Sequence, residues 1–157
     1  MNVIVIPKEK AVFWMDANGR WYNEFGKFEK KRIIDYFHRS INSDEDGYFV
    51  CQEKEGFVEK VYFRYADTAL FVFDVRFRDP IELVLNTGKE IKLDPGKLWI
   101  ENDNLYTVDG KDRIKFSDRA LMKISGILED RNGKLLIRIN NKVYPVPELR
   151  SEQKKDS

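Results

Sequence analysis

One stretch of the chain places arginine, aspartate and tyrosine side chains where together they could bind a charged ligand. Apolar and polar residues alternate between positions 69 and 77, which is typical of a strand with one buried face. If the turn at positions 66–68 lays the preceding strand beside this one, the polar residues of both strands share a surface. The residues of this predicted surface, which we call the bridge surface, are Tyr62, Arg64, Asp74, Arg76 and Arg78.

The bridge surface has chemistry suited to an anionic, aromatic molecule such as a nucleotide. A guanidinium group matches phosphate or carboxylate with paired hydrogen bonds, and a tyrosine ring can stack on a base. The same residues also suit a solvated sheet face, on which the arginines form ion pairs with Asp74 or Glu82. The sequence leaves both interpretations open.

The other reactive residue types lack the partners that catalysis or metal binding needs. His38 is the single histidine, whereas a metal site needs several ligands at matched spacing. Cys51 is the single cysteine and alternates with Phe49, so we expect a small core residue. The acids at 44–46 are explained by an acidic turn between elements, and no phosphate-binding glycine loop or nucleophile elbow is present. We therefore predict a non-enzymatic binding protein with no cofactor.

Composition and charge narrow the class of protein further. The 28 lysines and arginines nearly balance the 27 acids, whereas proteins that bind nucleic acid polymers carry a basic excess. A single cysteine excludes an internal disulfide and fits a reducing, cytoplasmic compartment. No stretch approaches the roughly 20 apolar residues of a membrane-spanning helix. We expect a cytoplasmic protein that binds neither membranes nor nucleic acid polymers, and the oligomeric state stays open.

The elements that position these residues occur twice along the chain. Trp14 precedes an Asn-Gly turn, a strong hairpin signal, and Trp99 precedes an Asn-Asp-Asn turn 85 residues later. A helix with apolar residues at helical spacing is predicted after each hairpin. The apolar stripes comprise Ile33, Ile34, Phe37 and Ile41 in the first copy and Leu121, Ile124 and Leu128 in the second. We expect Phe37 and Leu121 to be buried.

Each predicted helix is followed by a glycine-containing turn, which ends at Gly47 or Gly133, and by a second hairpin. We therefore predict an α+β fold of duplicated β-hairpin–helix–β-hairpin units, with mostly antiparallel sheets and a β-rich bridge between the copies. The predicted divisions are residues 1–80 for the first repeat with the bridge strand, 81–147 for the second repeat and 148–157 for a disordered tail.

Three segments carry a family resemblance. They are Met15-Asp16-x-Asn18-Gly19-x-Trp21-Tyr22, Ile34-x-x-Phe37 and Asp46-Gly47-Tyr48-Phe49-Val50. With Asp67-Thr68-Ala69 and a weaker match in the second copy, they resemble the bacterial family known as domain of unknown function 1285. The resemblance covers most of residues 12–147.

That resemblance implies a duplicated core whose C-terminal part is superficially similar to pleckstrin-homology-like folds. It also implies a site between the halves for a nucleotide-like molecule, a role in bacterial signal transduction and no established catalytic residues. The chain departs from the family pattern at residues 23–26, where the family has a small-residue and proline turn, and at residues 136–139, where the family is rich in tryptophan and phenylalanine. The alternative function is a protein adaptor or scaffold that pairs through an exposed strand and takes no small ligand.

Overall fold

The computed structural model describes residues 2–150, and these residues divide into two units. Unit 1 comprises residues 2–69 and 86–88, and unit 2 comprises residues 70–85 and 89–150. The division differs from the predicted boundary at residue 80. The bridge strand, which is the strand predicted within positions 69–77, falls in unit 2 because it hydrogen-bonds to strands of that unit on both sides.

In the described part of unit 1, two four-stranded sheets and one α-helix are formed. The strands are β1 (Asn2–Ile6), β2 (Phe13–Met15), β3 (Trp21–Asn23), β4 (Gly26–Lys27), β5 (Ile41–Asp44), β6 (Gly47–Lys54), β7 (Phe57–Tyr62) and β8 (Arg64–Tyr65), with α1 (Lys31–Arg39) between β4 and β5. One sheet has the order β4-β3-β2-β8 and the other the order β1-β7-β6-β5. The pairs β1–β7 and β2–β8 are parallel, and the others are antiparallel.

In unit 2 a seven-stranded and a three-stranded sheet accompany the second helix. The strands are β9 (Leu70–Arg76), β10 (Glu82–Leu85), β11 (Glu90–Lys92), β12 (Trp99–Glu101), β13 (Asn104–Asp109), β14 (Asp112–Phe116), β15 (Leu128–Arg131), β16 (Lys134–Ile139), β17 (Lys142–Pro145) and β18 (Glu148–Leu149), with α2 (Asp118–Ile124) before β15. The sheet orders are β11-β10-β9-β14-β13-β12-β18 and β15-β16-β17. The pairs β9–β14 and β12–β18 are parallel.

The same order of elements occurs in both copies, which confirms the predicted α+β fold and its duplication. Each copy has three strands, a helix, three more strands and a short final strand that returns to the first. The sheet β4-β3-β2-β8 therefore corresponds to β14-β13-β12-β18. Trp14 stacks on Tyr22 across its hairpin, with the rings 8° from parallel, and Trp99 stacks in the same way on Tyr106, at 17°.

Both helices are shorter than predicted. Ile41 and Leu128 were assigned to the helix stripes, but they begin β5 and β15. The first helix ends with the C-cap residue Ser40, whose N–H donates to the Tyr36 carbonyl at 3.0 Å. The second helix continues into a 3₁₀ turn that contains Gly126, and glycine is a poor helix former. A three-stranded meander therefore follows each helix, where a two-stranded hairpin was predicted.

The predicted burial of Phe37 and Leu121 is wrong, because both side chains are only half-buried. The fully buried position of α1 is His38, and α2 buries Ala120 and Ile124. Phe37 packs edge-on against Phe13, with ring centroids 5.0 Å apart, but it also lines a cavity of about 330 Å³.

Cys51 is exposed, although its alternation with Phe49 predicted a core position. The two residues share a face of β6 opposite to Val50, and it is Val50 that is completely buried. Phe49 is covered instead by Lys60, whose ammonium lies 4.3 Å from the ring centroid. Phe49 is itself buried, at 9% exposed, so both faces of β6 are covered near its start, and Cys51, farther along the predicted core face, reaches solvent.

The bridge strand β9 departs from strict alternation. Strict alternation over positions 69–77 would put Val72 on the polar face with Asp74 and would put Phe77 on the apolar face, but Val72 is completely buried and Phe77 is 50% exposed. Val72 is buried because α2 packs against β9, while β10 and β14 pair along the two edges of the strand. A register shift against β10 interrupts the alternation, and Phe77 lies beyond the end of the strand.

The predicted disordered tail begins with an ordered element. Residues 148 and 149 form β18, which pairs in parallel with β12 and so repeats the pairing of β8 with β2. Backbone hydrogen bonds to a hairpin strand order these residues despite their polar neighbours. The remainder of the predicted tail, residues 151–157, lies outside the described residues.

A buried polar network joins α1 to the hairpin β2–β3. His38 is 4% exposed, and its Nδ1 accepts a hydrogen bond from the indole N–H of Trp21 at 3.2 Å. The amide nitrogen of Asn86 lies 3.2 Å from the same atom and donates to the carbonyl of Ala69 at 3.1 Å. An indole nitrogen can only donate, so Nδ1 carries no proton and the ring is neutral. Burial lowers the pKa of His38 to about 4.

We expect the free energy of unfolding to decrease as the pH falls from about 6.5 to about 4. The folded-state pKa of His38 is below its unfolded value, so the unfolded chain binds more protons in this window and is favoured. A shift of this size corresponds to a loss of about 3 kcal/mol across the window. Urea unfolding at pH 7 and pH 4.5 measures the loss, and His38→Asn is the control that removes this titration. Equal losses in the wild type and the variant would show that His38 contributes nothing.

Candidate functional site

The residues of the predicted bridge surface lie on different sheets. Tyr62 and Arg64 belong to β7 and β8 of unit 1, whereas Asp74 and Arg76 belong to β9 of unit 2, and Arg78 follows β9. The condition for a shared surface, that the strands before and after positions 66–68 lie side by side, is not met: β7 pairs with β1 and β6, and β9 pairs with β10 and β14. The cause is that β1 adds in parallel to the edge of β7, while the chain after β7 enters the other sheet of unit 1 as β8.

The charged residues in and after β9 form ion pairs within unit 2. The pairs are Arg76–Glu90, Arg78–Glu82 (2.9 Å) and Asp74–Lys123 (2.7 Å). The hydrogen bond from Lys123 holds the pKa of Asp74 below its ordinary value. These side chains are 28–60% exposed, so each pair contributes at most about 1 kcal/mol. The geometry matches the ion-pair interpretation, and a ligand-binding role for these residues stays a prediction.

Unit 1 has a groove where the chain passes from one sheet to the other. Phe63, between β7 and β8, is 2% exposed and its N–H donates to the carbonyl of Tyr48 at 3.4 Å. Directly afterwards β8 pairs with β2, which sets Arg64 opposite Trp14. Because the chain changes sheets at Phe63, the residues on both sides of it line the same depression.

Two adjoining cavities form this depression, which we call the crossover groove. One has a volume of about 430 Å³ and the other about 290 Å³. Lys8, Arg64 and Tyr65 line both cavities. The larger cavity is also lined by Asp46, Tyr48 and Tyr62, and the smaller by Phe13, Trp14 and Met15.

Lys8 and Arg64 give the crossover groove a positive charge. Within residues 2–150 neither side chain forms an ion pair. Asp46 lines only the larger cavity, so the smaller one is flanked by two cations and no acid. Two cations with no ion-pair partner give the smaller cavity a positive potential, which attracts anions.

Partly exposed aromatic rings line the same groove. Trp14 is 42% exposed and Tyr65 is 39% exposed. The Tyr65 ring meets Tyr48 edge-on, with centroids 5.6 Å apart, so its orientation is set by packing. Partly exposed ring faces next to cations provide stacking surfaces for a planar ligand group.

Tyr62 is held by its hydroxyl group, which donates to Oδ2 of Asp44 at 2.7 Å. The Lys60 ammonium donates to the same oxygen. Chiefly through Lys60, and also through Tyr62, these hydrogen bonds lower the pKa of Asp44 to about 2. The bond to Asp44 raises the pKa of Tyr62. Tyr62 therefore lines the groove with its hydroxyl group already engaged.

Sequence analysis did not predict three of the residues that line the crossover groove, which are Lys8, Trp14 and Tyr65. Lys8 lies in a short 3₁₀ helix far from Arg64 along the chain, and only the parallel return of β8 to β2 brings them to one groove. Trp14 was assigned to a hairpin alone. Tyr65 directly follows Arg64, so adjacency to a predicted site residue was the one available signal.

Unit 2 forms a cavity at the equivalent point of its own copy. Val146 is buried, and its N–H donates to the carbonyl of Leu135 at 2.9 Å, as that of Phe63 does to Tyr48. The volume of the cavity is about 520 Å³. In the first strand pair of each meander, Asp44 pairs with Gly47 and Arg131 pairs with Lys134. Asp46 therefore corresponds to Gly133, so Gly47 and Gly133, which the sequence pattern treats as equivalent, differ by one position in the structure.

The charge of the unit 2 cavity is opposite to that of the crossover groove. Its charged lining residues are the carboxylates Asp103, Asp130 and Glu148 and the single cation Lys134. Pro145 and Pro147 stand at the positions of Tyr62 and Arg64. The two copies therefore keep one backbone arrangement and line it with different chemistry.

Within residues 2–150, no three histidine, cysteine or acidic side chains are grouped so as to hold a metal ion. Neither helix in that part of the chain has the length and apolar character needed to cross a membrane.

The chain matches no family model and no curated protein. Its fold is similar to that of a DUF1285 family protein from Silicibacter pomeroyi DSS-3, with a TM-score of 0.61 and 13% identity over 99% of this chain and 87% of that chain. A DUF1285 family protein from Shewanella baltica OS155 gives a TM-score of 0.52 and 15% identity over 76% of this chain and 94% of that chain. At these identities the similarity concerns the fold, and it supports the resemblance to the DUF1285 family.

We expect the Asp44 carboxyl group to stay ionised down to about pH 3, because its pKa is about 2. Tyr62→Phe removes one hydrogen-bond donor and should raise this pKa, so that protonation begins at higher pH. Carbon-13 NMR of the carboxyl groups between pH 7 and pH 3 follows both proteins. Tyr36→Phe, which alters an exposed tyrosine on α1, is the control and should leave the titration unchanged. Identical Asp44 titrations in the wild type and Tyr62→Phe would contradict the network.

Proposed function

We propose that the crossover groove binds an anionic small molecule that carries a planar ring, such as a nucleotide, without catalysing its conversion. One observation carries the proposal: Lys8 and Arg64, which have no ion-pair partner within residues 2–150, line the same cavities as partly exposed aromatic rings. The arginines in and after β9 are paired with carboxylates instead. A ligand at Arg64 displaces no protein partner, whereas a ligand at Arg76 or Arg78 would have to.

The groove has the parts that a nucleotide needs. The Arg64 fork matches two oxygens of a phosphate group, and the Lys8 ammonium adds a mobile point charge. Trp14 and Tyr65 are partly exposed aromatic rings beside these cations, and such rings can stack on a base. The cavity volumes, about 430 and 290 Å³, suit small ligands, whose pockets typically measure about 300–1,000 Å³.

The equivalent cavity of unit 2 supports the assignment by contrast. It has the same backbone frame but three carboxylates, which repel an anion. If the groove were only a by-product of the fold, the two copies would not be expected to differ so that one is cationic and aromatic and the other is acidic. Because the lining differs while the frame is kept, we assign anion binding to unit 1 alone.

Binding without catalysis suits the residues that line the groove. Asp46 is the one carboxylate among them, and the lining includes no histidine, cysteine or serine. The lining therefore has neither histidine, the usual general acid or base near neutral pH, nor a cysteine or serine nucleophile. A cytoplasmic protein that binds a nucleotide without consuming it suits a sensor in bacterial signal transduction, the role that the family resemblance implies.

The proposal is tested by calorimetric titration of nucleoside 5′-monophosphates selected in a thermal-shift screen. Arg64→Gln should weaken binding by about 10- to 100-fold, the equivalent of roughly 1.5–3 kcal/mol for a hydrogen bond to a charged group. Lys8→Gln should weaken it in the same direction. Arg78→Gln is the matched control, since Arg78 is paired with Glu82, and should leave the affinity unchanged.

A second comparison separates the charge from the ring. The matching nucleosides lack the phosphate group, so they should bind more weakly and be insensitive to Arg64→Gln. Unchanged nucleotide affinity in both groove variants, or a loss confined to Arg78→Gln, would contradict the proposal. A screen in which no nucleotide or common metabolite stabilises the protein would favour the adaptor alternative.

A further inference from the structure

β1 is an apolar strand at an exposed sheet edge. It pairs with β7 on one side, and on its other side no strand of residues 2–150 pairs with it. Its sequence is Asn-Val-Ile-Val-Ile. Val3, Ile4 and Val5 are 59%, 46% and 57% exposed. An edge of this kind offers both unpaired backbone groups and apolar side chains to another strand.

The other edge strands of the described sheets all carry charge. They are β4, β5, β8, β11, β15, β17 and β18, and each contains at least one lysine, arginine, aspartate or glutamate. Charged residues, proline and shortness are the usual means by which proteins prevent edge-to-edge pairing. β1 has five residues and contains neither a charged residue nor a proline. It is therefore the one described edge left suitable for pairing.

We propose that two copies of the chain form a dimer in which β1 pairs antiparallel with β1 of the second copy, about a two-fold axis. Pairing centred on Ile4 sets this residue opposite the partner's Ile4 and sets Val3 opposite the partner's Val5. No like charges are then opposed, and β-branched side chains pack across the junction on both faces. The strand is thus complementary to itself, as a two-fold interface requires.

A second copy suits this edge better than a strand of another protein. Recognition of a foreign strand depends on pockets or charges that select its side chains. Residues 2–6 carry no charge, and the exposed side chains at positions 3–5 are all β-branched and aliphatic. The pairing joins the sheet β1-β7-β6-β5 to its copy as one eight-stranded sheet. It does not involve β8, so it is independent of ligand binding in the crossover groove.

Analytical ultracentrifugation of the full chain over a range of concentrations tests the dimer. A single strand pair buries less than a standard interface of about 1,200–2,000 Å², so we expect a dissociation constant in roughly the micromolar range. Ile4→Lys and Ile4→Glu each oppose like charges at the centre and should weaken the dimer at least about tenfold. An equimolar mixture of these two variants should form a heterodimer. Phe25→Lys, at a residue 90% exposed in the turn between β3 and β4, is the matched control and should behave as wild type.

Circular dichroism and thermal melting establish that each variant is folded. If the Ile4 variants do not fold, Val5→Lys mixed with Val3→Glu makes the same test, because these positions face each other across the proposed junction. A wild-type chain that stays monomeric up to millimolar concentration would overturn the proposal. So would a dimer that Ile4→Lys leaves intact, or opposite-charge variants that fail to associate when mixed.

Discussion

The parallel return of the last strand of each copy to the first hairpin strand is the constraint on which the rest of the structure depends. To reach β2, the chain leaves the sheet of β7 at Phe63, and to reach β12 it leaves the sheet of β17 at Val146. Both residues are buried, and both donate an N–H to a carbonyl near the start of the neighbouring meander strand. The flanking residues then line a cavity in each copy, so the fold itself produces the two grooves.

What each groove can bind depends on the side chains placed around this common frame. In unit 1 the flanking positions hold Tyr62 and Arg64, and Lys8 adds a second cation. In unit 2 the equivalent positions hold prolines and the rim is acidic. A cation that has no carboxylate partner is ready for an anionic ligand, whereas the ion pairs of β9 would first have to be broken. The free energy needed to break an ion pair before a ligand can bind, rather than the number of arginines, distinguishes the bridge surface from the crossover groove.

The sequence predicted those features that depend on local signals. Asn-Gly and similar turns, helical spacing and the repeated tryptophans were sufficient for the hairpins, the helices and the duplication. The pairing of distant strands was not predictable in this way. Adjacency along the chain suggested that Tyr62 and Asp74 share a sheet, whereas β7 pairs with the parallel strand β1 and β9 pairs with the parallel strand β14. Lys8 carries no pattern that links it to Arg64. The buried role of His38 also depends on Asn86, which lies far along the chain.

The most direct test of the central claim is a crystal structure of the protein with adenosine 5′-monophosphate. The crossover groove should hold the nucleotide, with its phosphate within hydrogen-bond distance of Arg64 and Lys8 and its base against Tyr65 or Trp14. A phosphate bound beside Arg76 and Arg78, or in the acidic cavity of unit 2, with the crossover groove empty, would contradict it.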